Sequence, residues 1–535
     1  MTALRHAARD ERGFSMITVM LVMLVAGLFV SGAYAMADGD LPIAKRSQDR
    51  KEAWAAAEAG LSFYAFHLAQ DNLYWAHCTD VAAPNATEPS PVAEKWYGDG
   101  TDTRDGHWRT VPGMASQYAI ELLPATVPSP SNPRPQCVED NEASMLDPNT
   151  GMFRIRVTGR KGSVKRSIVA SFRRKSLLDY LWLTNYETQD PNNYPPGMWA
   201  TWAATNCDDY RGVRHWFCSD QQFATDDRLE GPFHSNDSIL TCNGSTFGRV
   251  GKNDQLEVSA AAPGWDNVCG DTPPNFLSPF NAGQPSIDIP ESNSALETVA
   301  ATGGKLYTGV TRIRLDGNQM YVNGVGPQAL PTNGVIYVKS DTAGCGTTPA
   351  ILADYADPAS CGNLYISGTY SRNLTVAAAN DVIIAPTAPG AADAADITRV
   401  PDSDAVLGII ANNFVRVAHR VTRTAEQAGN PLACTNEDTP ANPNLGDVHI
   451  EAAILSVKHS FTVDNYGCGA AEGYLFVKGV IAQNFRGTVG TTGGTGYLKR
   501  YSYDDLMKFR TPPYFLEPVA APWRIARMNE QVPAR

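Results

Sequence analysis

Several familiar chemistries are missing from this chain. It has no Cys-x-x-Cys pair, so neither a zinc ribbon nor a thioredoxin-type site is offered. It has no Gly-x-Ser-x-Gly elbow and no His-Glu-x-x-His helix, the arrangements that announce a serine hydrolase or a zinc protease. Positive charge is short as well: 44 Lys and Arg stand against 56 Asp and Glu, a formal net charge of −12. Phosphate binding needs clustered cations, so nucleic acid is not expected as a partner and anionic lipid is not the main one. Cysteine is absent from the N-terminal stretch. All ten lie further on, at Cys78, Cys137, Cys207, Cys218, Cys242, Cys269, Cys345, Cys361, Cys434 and Cys468. An even count of this kind suits disulfides in an oxidising compartment, and pairing of sequence neighbours is suggested, although spacing alone does not decide connectivity.

The most conspicuous absence is of charge over residues 14–37, FSMITVMLVMLVAGLFVSGAYAMA. As a helix these 24 residues extend about 36 Å, against a bilayer core of about 30 Å, so the segment is expected to cross a membrane with some tilt. Arg5, Arg9 and Arg12 precede it and Asp38 and Asp40 follow. That asymmetry predicts a single-pass membrane protein with a cytoplasmic N-terminus and an extracytoplasmic bulk. The bland alternatives are a plain signal anchor and a secretory signal peptide cut at Ser31-Gly32-Ala33 or Ala33-Tyr34-Ala35.

The boundary Arg12-Gly13-Phe14 ahead of that apolar run resembles the type III signal of type IV prepilins. The resemblance implies that prepilin peptidase cuts after Gly13, that Phe14 becomes an N-methylated mature N-terminus, and that the helix is retained. Its implied partners are other pilins through that helix, an inner-membrane assembly platform and the lipid bilayer, with display on a cell-surface filament after assembly. Most pilins carry Glu at the fifth mature position, where this chain has Thr18. Lack of that Glu is shared by minor pilins of the PilX type and by the K-type pseudopilin, which prime or cap a fibre. The run DRKEAWAAAEAGL at 49–61 looks like the R-x-x-A-x-x-A-A-E-A-G/A-L segment of PilX-type proteins. This likeness covers about residues 8–70 closely and extends loosely to 175. The C-terminal part looks like large uncharacterised bacterial pilin-like proteins, which carries no activity with it.

A chain of 535 residues exceeds one core, so two or three domains are expected, and 45 Gly with 36 Pro suit a loop- and strand-rich ectodomain. The expected division is a leader over 1–13, a transmembrane helix over 14–37, its amphipathic extension over 38–72 and a pilin-like helix-plus-sheet domain over 73–175. An irregular region rich in Trp, Asn and Pro follows over 176–300, then a β-rich head with a C-terminal cap over 301–535. Gly39 and Pro42 should loosen the helix, which resumes near Ala44 with Trp54, Ala57, Leu61, Tyr64 and Leu68 on one face. Alternating runs at 118–122, 152–159 and 163–172 read as strands, the last two a hairpin around Arg160-Lys161-Gly162. This hairpin is the basic stretch of the chain, read as solvated faces with lipid head groups or a fibre partner as the second possibility.

Further on, GIIANNF at 408–414 is nearly repeated as GVIAQNF at 479–485, with AILS at 453–456 between them. Short strands whose small and β-branched residues stack on one another suggest an irregular β-helix, with a β-sandwich or jelly roll as the alternative. The fold class expected is therefore α+β: a long membrane-spanning helix, a small antiparallel sheet and a large all-β domain. The glycine-rich stretch 487–496 lacks the Lys-Ser/Thr of a phosphate loop and reads as a mobile loop. Asp pairs at 208–209, 226–227 and 504–505 form no catalytic dyad by themselves, since adjacent strand residues face opposite ways. The most site-like run is GPFHSNDS at 231–238, either a metal or water site or, more simply, a turn held by Asn and Asp side chains. No cofactor, metal or catalytic residue is expected, and the ligand of the head is open. The function expected is a minor pilin or pseudopilin-like filament component at the tip, presenting its head for priming or adhesion. The alternatives are a membrane-tethered β-helix enzyme acting on polysaccharide and an envelope structural protein outside any fibre.

Overall fold

The computed structural model describes residues 16–71, 74–75, 96–97, 108–125, 145–147 and, with short interruptions, 152–534. The chain divides into two compact units, one formed by Met1–Leu146, Phe153–Phe172 and Ile525–Arg535, the other by Asp147–Met152 and Arg173–Arg524. The second is thus inserted in the sequence of the first.

The first unit is a helix laid on a sheet. The helix runs unbroken over Met16–Gln70, 55 residues, so the loosening expected at Gly39 and Pro42 does not end it. Pro42 removes one backbone donor, and the turns on either side outlast that loss. Ala53, Ala56, Ala57, Gly60, Leu61, Tyr64 and Leu68 form the buried face. Trp54, expected on that stripe, lies at its edge, half-buried under the Arg166 guanidinium at 4.9 Å. Small residues dominate this face because the helix backbone rests directly on the sheet. A Cβ on Gly159 would stand 1.9 Å from the Ala53 carbonyl oxygen, and one on Gly60 would stand 2.6 Å from the Tyr118 ring. The strands Gln117–Leu123 and Met152–Lys161 pair antiparallel from Gln117 opposite Arg160 to Leu123 opposite Arg154. Val164–Arg174 follows in the sheet order, and beside it lies the last strand, Trp523–Gln531. Tyr64, Phe153 and Phe172 stack between helix and sheet with ring centroids 5.0–6.1 Å apart.

The expected membrane crossing is corrected here. Among the described residues no helix is long and apolar enough to span a bilayer. Nor is the fold class α+β around a membrane anchor: among the described residues strand far exceeds helix. Single-pass residence with a cytoplasmic N-terminus falls with the same finding.

The second unit is a coil of parallel strands rather than a sandwich. Its core column can be followed from Ile336 to Val376, Ile409, Ile454 and Ile481, each the register partner of the next. Ile481 then pairs with Trp182, Trp182 with Phe233, Phe233 with Leu256, and Leu256 with Phe280. The stacking order departs from the chain order. The strand Trp182–Gln189 is a central rung, from which the chain winds outward through residues 233–281. It restarts at the far end near 305 and winds back to meet Trp182 from the other side. Residues 176–300, read as irregular, therefore supply rungs of the coil. Where chain enters and leaves the unit, Arg524 holds the Asp179 carboxylate at 2.6 Å.

Polar side chains inside the coil are paired in ladders. Asn380 donates to the Asn363 side chain at 2.6 Å, and Asn413 donates in turn to Asn380. Arg416, 3 % exposed, reaches Asp464 at 2.7 Å and Asp381 at 2.8 Å, and the Tyr355 hydroxyl donates to Asp464 at 2.7 Å. Four disulfides join sequence neighbours: Cys207–Cys218, Cys242–Cys269, Cys345–Cys361 and Cys434–Cys468. Cys78 and Cys137 lie outside the described residues.

The close approach at Gly159 is directly testable. Gly159→Ala should destabilise the first unit by about 1–3 kcal/mol, because overpacking against backbone cannot be relieved by a side-chain rotation. Gly27→Ala, on the helix that Gly159 packs against and with open space around it, should be neutral or slightly stabilising. Thermal melts and amide exchange over residues 53–64 decide this, and equal stability of the two variants would refute the packing argument.

Candidate functional site

The N-terminal part of the helix is the most unusual surface in the first unit. Twelve large apolar side chains between Met16 and Val30 are 41–77 % exposed. They surround the helix rather than form one stripe, and a helix apolar all round belongs inside something. Covering each such side chain is worth about 1.5–3 kcal/mol, so the segment is built to be covered. Thr18 lies within it. Gly13, Phe14 and the rest of the leader fall outside the described residues.

Several cations of the basic hairpin are paired internally. Lys161 pairs with Glu52 at 2.5 Å, Arg156 pairs with Glu121, and Arg166 pairs with Glu530. Arg160 donates to Gln117 at 2.9 Å and covers the Trp108 ring at 4.0 Å. Within the second unit Lys175 reaches Glu257 at 2.8 Å, and Arg173 reaches Asp179 at 3.6 Å.

The run 231–238 proves to be a sealed polar knot. His234 Nδ1 lies 3.1 Å from Glu257 and its Nε2 2.8 Å from the Asn236 oxygen, and the ring is fully buried. Tyr180 and Lys175 donate to the same Glu257 carboxylate. Asn236 receives the Ile287 amide at 2.9 Å and donates to the Ile287 carbonyl at 3.0 Å. Asp237 takes the amides of Glu187, Arg211 and Ser238 at 2.8–3.1 Å and the guanidinium of Arg214. Every acceptor is occupied by protein, so these residues hold turns between rungs. Among the described residues no group of His, Cys, Asp and Glu is placed to hold a metal ion.

The described residues of the glycine-rich stretch are hydrogen-bonded into a turn. Thr491 donates to the Thr495 carbonyl at 3.0 Å, Gly494 to Thr491 at 3.1 Å, and Tyr497 to Val489 at 2.8 Å. It borders a cavity of about 850 Å³ with Arg486 and Lys499 in its wall. Those cations are already committed: Arg486 to Glu187 at 3.0 Å and the Phe223 ring at 3.5 Å, Lys499 to Asp227 at 2.7 Å. Asp504 pairs with Arg399 at 2.8 Å and Asp505 with Arg249 at 3.2 Å. Asp226, neighbour of Asp227, lies outside the described residues. A surface the sequence reading gave no role is the aromatic group Trp199, Trp202, Trp216 and Phe217. Its signal was the Trp density of the 198–217 segment.

No family model matches this chain, and no curated protein matches it. Among solved structures it is similar to the competence-associated pilin ComZ from Thermus thermophilus, at 11 % identity, over 91 % of this chain and 98 % of that one. The TM-score is 0.25, too low for the likeness to assign a fold or a role.

Glu257 supplies the pH test of this interior. Burial raises its pKa, but hydrogen bonds from His234, Lys175 and Tyr180 outweigh that and hold it at about 2, below the ordinary 4.5. A depressed folded-state pKa means stabilisation that is present above 4.5 and lost as the pH falls toward 2. The shift corresponds to roughly 3 kcal/mol. Glu257→Gln should therefore cost about that much near neutrality and flatten the acid limb. Denaturant melts of both proteins across this window should converge at the acid end; profiles that stay parallel would sink the assignment.

Proposed function

We propose that this chain is a pilin-like component of a type IV filament system, joined to other subunits through the apolar helix end and presenting the second unit as its head. The observation that carries this reading is the exposed apolar helix surface over residues 16–31. Helices of like character in neighbouring subunits are the occupant proposed for it. Arg12-Gly13-Phe14 supports processing by a prepilin peptidase after Gly13, with Phe14 as the mature N-terminus.

The finer reading is a minor subunit at the filament tip. In a repeating shaft, a buried charged amine needs a carboxylate partner, since an unpaired charge among apolar helices costs several kcal/mol. Thr18 offers a hydroxyl in place of that carboxylate. A head of about 350 residues would crowd a packed shaft and not its end. A priming or adhesive role follows from that place. A role outside enzymology is proposed with it: the carboxylates Asp227, Asp504 and Asp505 stand in ion pairs with Lys499, Arg399 and Arg249.

Leu21→Asp together with Leu24→Asp should abolish incorporation into filaments while leaving the melting of the second unit unchanged. Intact-mass measurement should find the mature chain beginning at Phe14, and Gly13→Leu should leave the precursor uncut. Immunogold labelling should be confined to filament ends. Incorporation that survives both aspartates would overturn the assembly surface, and label spread along the shaft would overturn the tip placement.

A further inference from the structure

One lysine stands where the coil elsewhere holds an apolar side chain. Across three rungs the register runs from Val448 to Leu475 to Lys499, and the first two are buried. Tyr497 and Tyr501, two residues to either side of Lys499 and so on the same face of its strand, are buried as well. The Lys499 side chain is 13 % exposed, less than those of Lys161, Lys175, Lys339, Lys478 and Lys508 in their ion pairs. Its Nζ lies 2.7 Å from Asp227 Oδ2, and the Ala224 amide donates to that same oxygen at 2.8 Å. Both side chains line the cavity of about 850 Å³ beside the glycine-rich turn.

As an ion pair this is a poor source of stability, because desolvating two charges offsets most of their attraction. It does meet the requirements of an amide condensation. Burial, with the Arg486 charge nearby, outweighs the attraction of Asp227 and Glu187 and pulls the Lys499 pKa below the ordinary value for lysine. A desolvated lysine gives up its proton readily and becomes a nucleophile. The carboxyl group it faces is fixed by the Ala224 amide. Lys175 and Glu257 form another pair, at 2.8 Å, that lacks these features. Glu257 also receives bonds from Tyr180, His234 and Gln255 and stays ionised, which makes its carboxyl carbon a poor target.

We propose that Lys499 and Asp227 condense after folding into an intramolecular amide, a covalent cross-link between the strand Gly496–Tyr503 and the turn ahead of Arg228–Glu230. The ammonium proton passes to the carboxylate across their contact, leaving a neutral amine facing a neutral carboxyl group. The nitrogen lone pair forms the N–Cγ bond, and the carbonyl π pair moves to its oxygen. As that carbonyl reforms, the other C–O bond breaks, and its hydroxyl leaves with a second proton from nitrogen as water. One ammonium and one carboxylate thus give one amide and one water, without oxidant or co-reactant. The water has the adjoining cavity to enter. Holding amine and carboxyl in contact supplies the effective concentration that the reaction lacks in solution, and the product is uncharged in a site that disfavours charge. The bond joins rungs that already pair, Arg500 with Arg228 and Tyr501 with Leu229, across a sequence separation of 272.

The test is the mass of the purified full chain after reduction of its disulfides. It should be lighter by one water than the sequence counted from its observed N-terminus. Trypsin should release a branched peptide in which residues 215–228 are joined to 487–500, with Lys499 uncut because its amine is acylated. Lys499→Arg keeps the charge and removes the nucleophilic amine. That variant should show the full mass, and its digest should give the two segments separately. The measurement on the native chain stands whether or not the variant folds. A native chain at full mass would overturn the proposal. A missing water without the branched peptide, or one still missing in Lys499→Arg, would overturn the assigned bond, and a branch joining Lys175 to Glu257 would overturn the choice of pair.

Discussion

The register of the parallel rungs is the constraint on which the second unit depends. Each backbone amide of one rung is committed to the next, so a residue's neighbours above and below are decided once any pair is decided. With a side-chain period of two, a slip of one residue would turn Ile409, Ile454 and Ile481 to the opposite face and put Ile410, Leu455 and Ala482 in their places, breaking the stacked column. The asparagine ladder guards against such a slip at the corners. Asn363, Asn380 and Asn413 can bond one another only when their rungs are aligned, and an unpaired buried amide costs about 1–3 kcal/mol.

Charges buried in the same interior act as further locks. Arg416 between Asp381 and Asp464, and Arg486 between Glu187 and Phe223, are worth less as sources of stability than as conditions that misaligned rungs cannot meet. The entry and exit of the unit are tied by the same device, Asp179 with Arg524. The insertion of the whole coil between the neighbouring strands Val164–Arg174 and Trp523–Gln531 then follows without crossing the sheet order.

What was legible in the sequence were features that local chemistry reports. The echo of GIIANNF in GVIAQNF marks two aligned rungs, and its glycines have reasons. A Cβ on Gly479 would stand 1.9 Å from the Ala452 oxygen, and one on Gly408 would meet the Phe515 ring at 2.8 Å. The strands Gln117–Leu123, Met152–Lys161 and Val164–Arg174 alternate visibly, since one face meets the helix. Non-local decisions were not legible. Nothing near Trp182 says that it pairs with Ile481, some 300 residues away, so its region read as irregular. Nor does the composition of 231–238 say that His234 is sealed by Glu257. The membrane reading came from counting uncharged residues, which measures apolar length and does not separate a bilayer from other helices as the cover.

The two surfaces left unsatisfied differ in kind, and the difference bears on what each can meet. The helix end over 16–31 is apolar all round and has aliphatic side chains over most of its length. Its cover must therefore be apolar all round as well, as a bundle of like helices is. The rings of Trp199, Trp216 and Phe217 are exposed on a segment clamped by Cys207–Cys218. Aliphatic cover is indifferent to sequence detail, whereas planar rings favour particular geometries of approach. The placement of the two surfaces in different units lets the ring-bearing surface vary without disturbing the packing of Gly159 against Ala53 on which the first unit rests.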